Sequence, residues 1–228
     1  MDQGESLLES HGVPGFDELV GGLPKGELVV LAGGPGTGKT IFSASFLYWG
    51  AIKYGERGVY ASFAEDRNAF MNNMRALGFD FEKLEQQGLF KFLDLLTLME
   101  AGMSELFETI LNEVSSFGAK RLVIDSLTAL AQGVATPREL RVFLHSLLSR
   151  IMRAMDCTTI LIEEVPLGKR WIGYGFEEFV ASAVILLERT LLEDKFLRRL
   201  RIIKLRGAEV PNPRPASPSK TGSKRSRR

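Results

Sequence analysis

A glycine-rich stretch, GGPGTGKT at residues 33–40, has the residue types and spacing needed to bind phosphate. It fits the pattern G-x-x-x-x-G-K-[ST] and lies between an apolar β-branched run and a helical pattern. Glycines let the backbone curl until successive N–H groups point at an anion, and the following helix adds its positive dipole end. Lys39 can then reach the β- and γ-phosphates of a nucleotide, and the Thr40 hydroxyl can ligate Mg²⁺.

The predicted phosphate-binding loop continues into the first turn of the helix. The alternative is a glycine-rich turn that fits by chance, which average composition would produce in about one chain per hundred. The strand–loop–helix context argues against that alternative. We therefore predict that the nucleotide is held by one continuous set of residues, Gly34, Pro35, Gly36, Thr37, Gly38, Lys39, Thr40 and Ile41.

A bound metal needs a second oxygen ligand, and RLVIDS at residues 121–126 offers one. An apolar run leads there into Asp125, at the expected carboxyl end of a strand. Ligands bind at that edge of a parallel sheet. A helix cap or a turn is the alternative role for Asp125 alone. Beside a phosphate loop, the metal role together with Thr40 is favoured.

Strand and helix patterns alternate along the chain, which predicts an α/β fold with a mostly parallel sheet covered by helices on both faces. Pro137 is predicted to start the longest helix. The predicted strands are 27–33, 58–63, 89–96, 121–126, 158–165, 180–188 and 197–207, and the predicted helices include 39–55, 68–78 and 104–118.

Composition predicts one domain over residues 1–210 and a disordered basic tail over 211–228. The tail carries six basic residues and no acid, so the net charge of +1 leaves −5 for the rest of the chain. Cys157 is the only cysteine, and we expect a buried thiol in a reducing compartment. No apolar run approaches the ~18 residues of a membrane span and no secretory signal is evident, so we expect a cytoplasmic protein without membrane contact.

The combined motifs resemble those of KaiC-like ATPases, within the RecA-like branch of P-loop NTPases. The resemblance begins with GVPGFDELVGGLPKGELVVLAGGPGTGKT and continues through YASFAEDRNAFMNNMRALGFD, LVIDSLTAL, TTILIEEVPLG, FEEFVASAVILLE and RRLRIIKLRG. It spans roughly residues 12–207. It implies a RecA-like fold and ATP, with Mg²⁺, as the nucleotide.

The resemblance also implies a ring-shaped homo-oligomer, commonly a hexamer, with ATP at the subunit interfaces. In such rings a neighbouring subunit contributes basic residues from its last strand, and KLRG makes Lys204 and Arg206 the candidates here. An arginine fork supplied by the neighbour suits a γ-phosphate. The alternative is an exposed strand edge with ordinary charges. A further protein partner is left open.

One departure from the family pattern concerns the acidic pair after the second strand. KaiC-like proteins carry two adjacent glutamates where this chain has Ala64 and Glu65, and the first is assigned to orienting the lytic water. Neighbouring strand residues point to opposite faces, so Glu65 does not inherit that position by default. A twisted strand tip could still bring Glu65 into the catalytic position. Because losing a positioned base costs about 10²–10⁴ in rate, we expect ATP binding with slow hydrolysis.

Three functional hypotheses follow. The first is a slow ATPase that couples its nucleotide state to assembly or partner binding. The second is a switch or scaffold that binds ATP without appreciable hydrolysis. The third is a recombinase-like protein that binds single-stranded DNA through the cations and aromatic residues of 168–176 and the tail. The negative charge of the core disfavours the third.

Overall fold

The computed structural model describes residues 8–12, 15–96, 102–132, 155–165, 181–192 and 195–207, with isolated positions between 136 and 151. Three features predicted from the sequence lie wholly or mainly outside these residues. They are the helix from Pro137, the segment 168–176 and the tail 211–228 with its boundary at residue 210.

Nine strands are present in the described part of the chain. Their order and bounds are β1 (Leu8–Glu9), β2 (Leu23–Pro24), β3 (Leu28–Gly33), β4 (Gly58–Ser62), β5 (Phe90–Asp94), β6 (Arg121–Asp125), β7 (Thr158–Glu164), β8 (Ala183–Leu192) and β9 (Lys195–Leu205).

Six helices connect these strands within the described residues. The structure contains each of the three helices named above, and it adds three short ones, α1, α4 and α6, that no clear period marks. The helices are α1 (Phe16–Val20), α2 (Lys39–Tyr54), α3 (Arg67–Ala76), α4 (Phe81–Gln86), α5 (Met103–Phe117) and α6 (Leu127–Gln132).

The main sheet has the strand order β5-β4-β6-β7-β3-β8-β9. All its neighbouring pairs are parallel except β8 and β9, which form an antiparallel pair at one edge. A separate antiparallel pair, β1 with β2, precedes it in the chain. The α/β fold class predicted from the alternating pattern is therefore confirmed.

Hydrophobic cores lie on both faces of this sheet, as expected for parallel strands buried on both sides. Leu28 and Val30 of β3 face the core that α5 and α6 cover. The alternate residues Val29 and Leu31 face the core that α2, α3 and α4 cover. The sheet thus lies between two helical layers, and the carboxyl ends of its parallel strands share one edge.

Strand β8 differs from its predicted bounds at both ends. It begins at Ala183 and continues to Leu192, well past its last residue paired with β3, Leu187. Beyond Leu187, the described pairing is with β9 alone. Pairing with β9 extends β8 beyond its predicted end, because the exposed residues after Leu187 do not form the continuous apolar run from which a buried strand is predicted.

Two smaller findings concern the rest of the described chain. Cys157 is fully buried as a thiol, as expected. In the described residues, every helix is too short or too polar to cross a bilayer.

Candidate nucleotide site

The predicted phosphate loop joins β3 to α2 at the carboxyl edge of the sheet. Gly36 and Gly38 have φ values of 70° and 104°, left-handed conformations that glycine adopts at no steric cost. The Thr37 hydroxyl donates to the Gly34 carbonyl at 2.9 Å and ties the two sides of the loop together. The N-cap residue of α2 is Gly38, which has no side chain to cap the helix, so the first N–H groups of α2 are available to an anion.

Lys39 folds over this loop from the first turn of α2. Its Nζ donates to the carbonyls of Gly33 at 2.8 Å and Gly34 at 3.0 Å. Burial lowers the pKa of Lys39, while the charges of Glu164 and Asp125 act in the opposite direction. The ammonium group is therefore at the loop, beside two carboxylates, where phosphate oxygens can replace its carbonyl partners.

Tyr60, on β4, connects the two predicted metal ligands. Its buried hydroxyl donates to Oδ2 of Asp125 at 2.5 Å, and the side chain of Thr40 lies close enough to lower the pKa of the same phenol. The ring packs on Phe70 and Phe92, with centroid distances of 4.5 and 5.7 Å. Thr40 and Asp125 thus approach the same phenol oxygen, which places them within reach of a single ion.

The donor set fits Mg²⁺, which prefers oxygen ligands such as the Thr40 hydroxyl and the Asp125 carboxylate. Burial raises the pKa of Asp125, against the opposing effects of the Tyr60 hydrogen bond and the Lys39 charge. A divalent cation would favour the ionised carboxylate. Within the described residues, no group of three or more His, Cys, Asp or Glu side chains could hold a metal alone. Mg²⁺ characteristically completes its shell with water and substrate phosphates, so two protein ligands suffice.

Ala64 and Glu65 lie in a turn beyond the end of β4 rather than on the strand. The Ser62 hydroxyl accepts from both of their backbone N–H groups, at 3.3 and 3.0 Å, and donates to the Glu65 carbonyl at 2.8 Å. Strand alternation therefore does not decide where Glu65 points. Burial raises the pKa of Glu65, and the charge of Asp125 raises it further, while a hydrogen bond with Asn73 lowers it. Half-buried Glu65 thus lies beside the predicted metal ligand, and Ala64 is exposed.

Glu164 is a third carboxylate at this site, and the sequence reasoning did not identify it. It ends β7, the strand between β6 and β3, and its Cα lies opposite Gly33 at the start of the loop. Its backbone N–H donates to Oγ1 of Thr128 at 3.1 Å. Its charge raises the pKa of both Lys39 and Asp125.

Lys204 and Arg206 lie far from the loop of their own chain. The Arg206 N–H donates to the Ser182 carbonyl, and the Ser182 N–H donates to the Leu28 carbonyl, each at 2.8 Å. Gly33 is five residues beyond Leu28, about 17 Å along the strand direction. The structure therefore does not bring these two residues to their own phosphate loop, and their action on a neighbouring subunit stays a prediction.

Comparison with known families identifies the family of this chain. A family model described as ATPase: KaiC matches residues 10–215. The chain belongs to the KaiC ATPase family. The family inferred from the sequence motifs is thus confirmed.

Individual relatives agree with membership of the KaiC family. The chain is 32% identical over 211 residues to a UPF0273 protein of Methanocaldococcus jannaschii, covering 86% of each. It is 34% identical over 203 residues to the circadian clock oscillator protein KaiC of Synechococcus elongatus, covering 86% of this chain and 39% of that protein. The crystal structure of a KaiC-like protein from Pyrococcus horikoshii superimposes with a TM-score of 0.79 at 39% identity, covering 88% of this chain and 89% of that one. This likeness agrees with the RecA-like form of the α/β fold.

Three residues of this KaiC-family site were not identified from the sequence. Tyr60 is one aromatic residue in an apolar strand, and only its hydrogen bonds single it out. Glu164 carried a usable signal, since it is the last residue of an apolar strand at the edge that binds ligands. No pattern in the sequence pointed to Arg189, because its position near the loop depends on how far β8 extends.

Proposed function

We propose that this chain binds ATP with Mg²⁺ and hydrolyses it slowly, as a subunit of a ring-shaped homohexamer. The nucleotide state would then be coupled to assembly or to binding of a partner protein. The proposal depends mainly on one observation. The glycine loop, Lys39, and the Thr40–Tyr60–Asp125 cluster meet at the carboxyl edge of the sheet.

Each proposed binding residue has a distinct task. The N–H groups of the loop and of the first turn of α2 surround the phosphate chain, and Lys39 neutralises part of its charge. Thr40 and Asp125 would hold Mg²⁺, which supplies positive charge next to the phosphates. Tyr60 fixes the orientation of both side chains through its hydroxyl.

Hydrolysis needs a water molecule oriented toward the γ-phosphorus, and Glu65 is the proposed base. The water oxygen bonds to the γ-phosphorus, the bond to the β–γ bridging oxygen breaks, and the water proton passes to the Glu65 carboxylate. A raised carboxylate pKa brings a base closer to the operating pH. Turnover is expected to be slow because Ala64 has no carboxylate of its own to orient the water.

The proposed ring would use the β8–β9 edge of the sheet. Strand β9 is an unpaired sheet edge within the described residues, and such edges readily pair with another chain. Leu191, Leu192 and Phe196 are each more than half exposed there. Exposed apolar residues at one edge support an interface with a second copy. Lys204 and Arg206 on the same strand would then complete the neighbour's site.

The test combines nucleotide binding, phosphate release and mass in solution. The unaltered protein is expected to bind ATP·Mg²⁺, to release phosphate at a slow but measurable rate, and to gain mass when ATP·Mg²⁺ is added. Lys39→Ala should lose ATP binding. Glu65→Gln should keep binding and lose phosphate release by about 10²-fold or more.

The same assay separates the alternative, a switch that binds ATP without hydrolysing it. The exposed Ala64 favours this alternative, because the usual carboxylate is absent at that position. Binding and a gain in mass without phosphate release would establish the switch. Phosphate release that is unchanged in Glu65→Gln would instead remove Glu65 from the mechanism. Failure of the unaltered protein to bind ATP would refute both.

A further inference from the structure

Strands β8 and β9 extend past the carboxyl edge of the sheet as a two-stranded ribbon. We call residues 188–192 and 195–199 the overhanging ribbon. Strand β8 pairs with β3 through Leu187, which lies opposite Gly33 at the start of the phosphate loop. The following residues of β8 pair only with β9 in the described chain. Because β8 is parallel to β3, the ribbon rises on the side where the loop lies.

One face of the overhanging ribbon points to the same side of the sheet as α2. Leu187 and Leu200 are opposite each other and belong to the core that α2 covers. Residues two apart on a strand share a face, so Arg189 projects to that side as well. Arg199, paired with Glu188, projects to the other side.

The Arg189 guanidinium lies directly beside the phosphate loop. A Cβ built on Gly36 would lie 3.6 Å from Nη1 of Arg189, and among the described residues other than Gly36 and its two chain neighbours no other heavy atom comes within 4 Å of that position. Gly36 is the exposed third residue of the predicted nucleotide-binding set. The guanidinium is thus held within a few ångströms of backbone N–H groups that form the anion nest.

Phe196 holds the guanidinium in place. The Arg189 Cζ lies 4.4 Å from the centroid of the Phe196 ring, a cation–π geometry. Within the described residues Arg189 forms no ion pair, and the adjacent carboxylate of Glu188 is engaged by Arg201 at 3.2 Å. Stacking leaves the N–H donors at the rim of the guanidinium free to bind an oxyanion.

The charges around the loop favour a second cation. Asp125, Glu65 and Glu164 surround the site, while Lys39 is the cation within the loop itself. A nucleoside triphosphate adds several more negative charges. Lys204 and Arg206 lie near the amino end of β3, far from the phosphate loop of their own chain. They therefore cannot balance this charge from within one subunit.

We propose that Arg189 binds the phosphate chain of the nucleotide held in its own chain's loop, and that Phe196 positions it. This inference rests on the proposed ATP-binding function and adds a contact from the same chain to the expected contacts from a neighbour. Arg189 donates hydrogen bonds to non-bridging phosphate oxygens near Gly36. Within one chain, Phe196 acts on the phosphates through Arg189.

The experiment measures the dissociation constant of ATP·Mg²⁺ by calorimetry for six full-length variants beside the unaltered protein. Arg189→Gln should weaken binding about tenfold, the size of one charge-assisted hydrogen bond. Arg189→Lys should recover part of this loss. Arg199→Gln has the same change in charge on the other face of the ribbon, so its dissociation constant should stay within about twofold. The unfolding temperature of each variant reports whether the fold is intact.

Phe196→Leu tests the positioning role. It should weaken binding about threefold alone and add nothing in the Arg189→Gln background, since the residue it positions is then absent. Equal losses in Arg189→Gln and Arg199→Gln would overturn the proposal, because they would reflect only general charge. Unchanged binding in Arg189→Gln would also overturn it, provided that Lys39→Ala abolishes binding. An unaltered protein that does not bind ATP would refute the proposed function itself.

Discussion

At the scale of single residues, the Tyr60 hydroxyl orients the side chains of the candidate site, although Tyr60 lies within a buried strand. It lies within an otherwise apolar core, bonds to one predicted metal ligand, Asp125, and lies beside the other, Thr40. Burial and the nearby Asp125 raise the pKa of Tyr60 well above its ordinary value, so the phenol stays protonated and can donate. This hydrogen bond therefore fixes the orientation of the Asp125 carboxylate.

Removing this hydroxyl should weaken the proposed metal site while leaving the fold intact. In Tyr60→Phe the ring contacts with Phe70 and Phe92 persist, but Thr40 and Asp125 lose their common partner. Partners of metal ligands typically contribute 10–100-fold to metal affinity, so we expect a loss of about tenfold for Mg²⁺. Titration of Mg²⁺ into protein with ATP measures this. An unchanged Mg²⁺ midpoint would contradict the role assigned to Tyr60.

His11 is a second informative residue, since it is fully buried in a core of aromatic rings. It packs against Phe42 with a centroid distance of 4.0 Å and the two rings tilted by 37°, and it also neighbours Phe16 and Phe46. Burial lowers the pKa of His11 well below its ordinary value, and the charge of Arg121 lowers it further. The folded protein therefore holds this imidazole neutral.

This burial predicts a loss of stability in mild acid. Below about pH 6.5 the unfolded chain binds a proton at His11 that the folded chain does not. The free energy of unfolding should then fall by up to about 1.4 kcal/mol per pH unit from this group. Urea unfolding between pH 8 and pH 5 measures it, and His11→Phe should flatten the slope. His145, exposed and the only other histidine, provides the control. An equal slope in His11→Phe and the unaltered protein would exclude His11 as its source.

At the scale of elements, α2 and β6 are joined by one buried arginine. Arg121 is fully buried at the start of β6, where its guanidinium donates to Glu56 at 2.6 Å and to the Phe46 carbonyl at 2.8 Å. It also stacks on Phe46, with 4.5 Å to the ring centroid. The helix that follows the phosphate loop is therefore fixed to the strand that ends in Asp125.

The close approach of these elements explains Gly50, which lies inside α2. A Cβ there would lie 2.5 Å from Cδ of Arg121. Gly50→Ala should therefore destabilise the fold by about 1–3 kcal/mol through overpacking, although alanine favours a helix by about 1 kcal/mol over glycine. Chemical denaturation measures the change.

A double-mutant cycle supplies the control for Gly50→Ala. Adding Arg121→Met replaces the rigid guanidinium with a flexible side chain, so Gly50→Ala should cost less in that background. Stabilisation by Gly50→Ala in the unaltered background would contradict the predicted clash.

At the scale of the whole molecule, basic residues lie near both ends of the strands of the main sheet. Arg189 lies beside the phosphate loop of its own chain, at the carboxyl ends of the parallel strands. Lys204 and Arg206 lie near the amino ends of the same strands. If those two residues act on phosphates, they must reach the loop of another subunit. Each proposed site in a ring would then combine Lys39 and Arg189 of one chain with the last strand of its neighbour.

Mixing inactive variants tests this arrangement. Lys39→Ala and Arg206→Ala should each lack activity alone. When both are co-expressed, random assortment gives about one quarter of the interfaces an intact loop beside an intact Arg206. Phosphate release should therefore return to about a quarter of the original rate. Lys39→Ala mixed with Asp125→Ala is the matched control, because both changes affect the same side of the interface and no intact site can form. No recovery in the first mixture would contradict action across subunits.

The sequence alone determined the family, the fold class and the position of the phosphate loop. These features are encoded locally, since the loop is one continuous stretch and each strand or helix shows its own period. Asp125 could likewise be placed at the ligand-binding edge, because the carboxyl ends of parallel strands meet there.

The tertiary structure decided which side chains meet. Tyr60 reaches Asp125 because β4 and β6 are neighbours, although 65 residues separate them in the chain. Glu164 lies beside the loop because β7 is inserted between β6 and β3. Arg189 lies there because β8 continues beyond Leu187, its last residue paired with β3. Strand order and strand length depend on long-range pairing, which no local pattern in the sequence encodes.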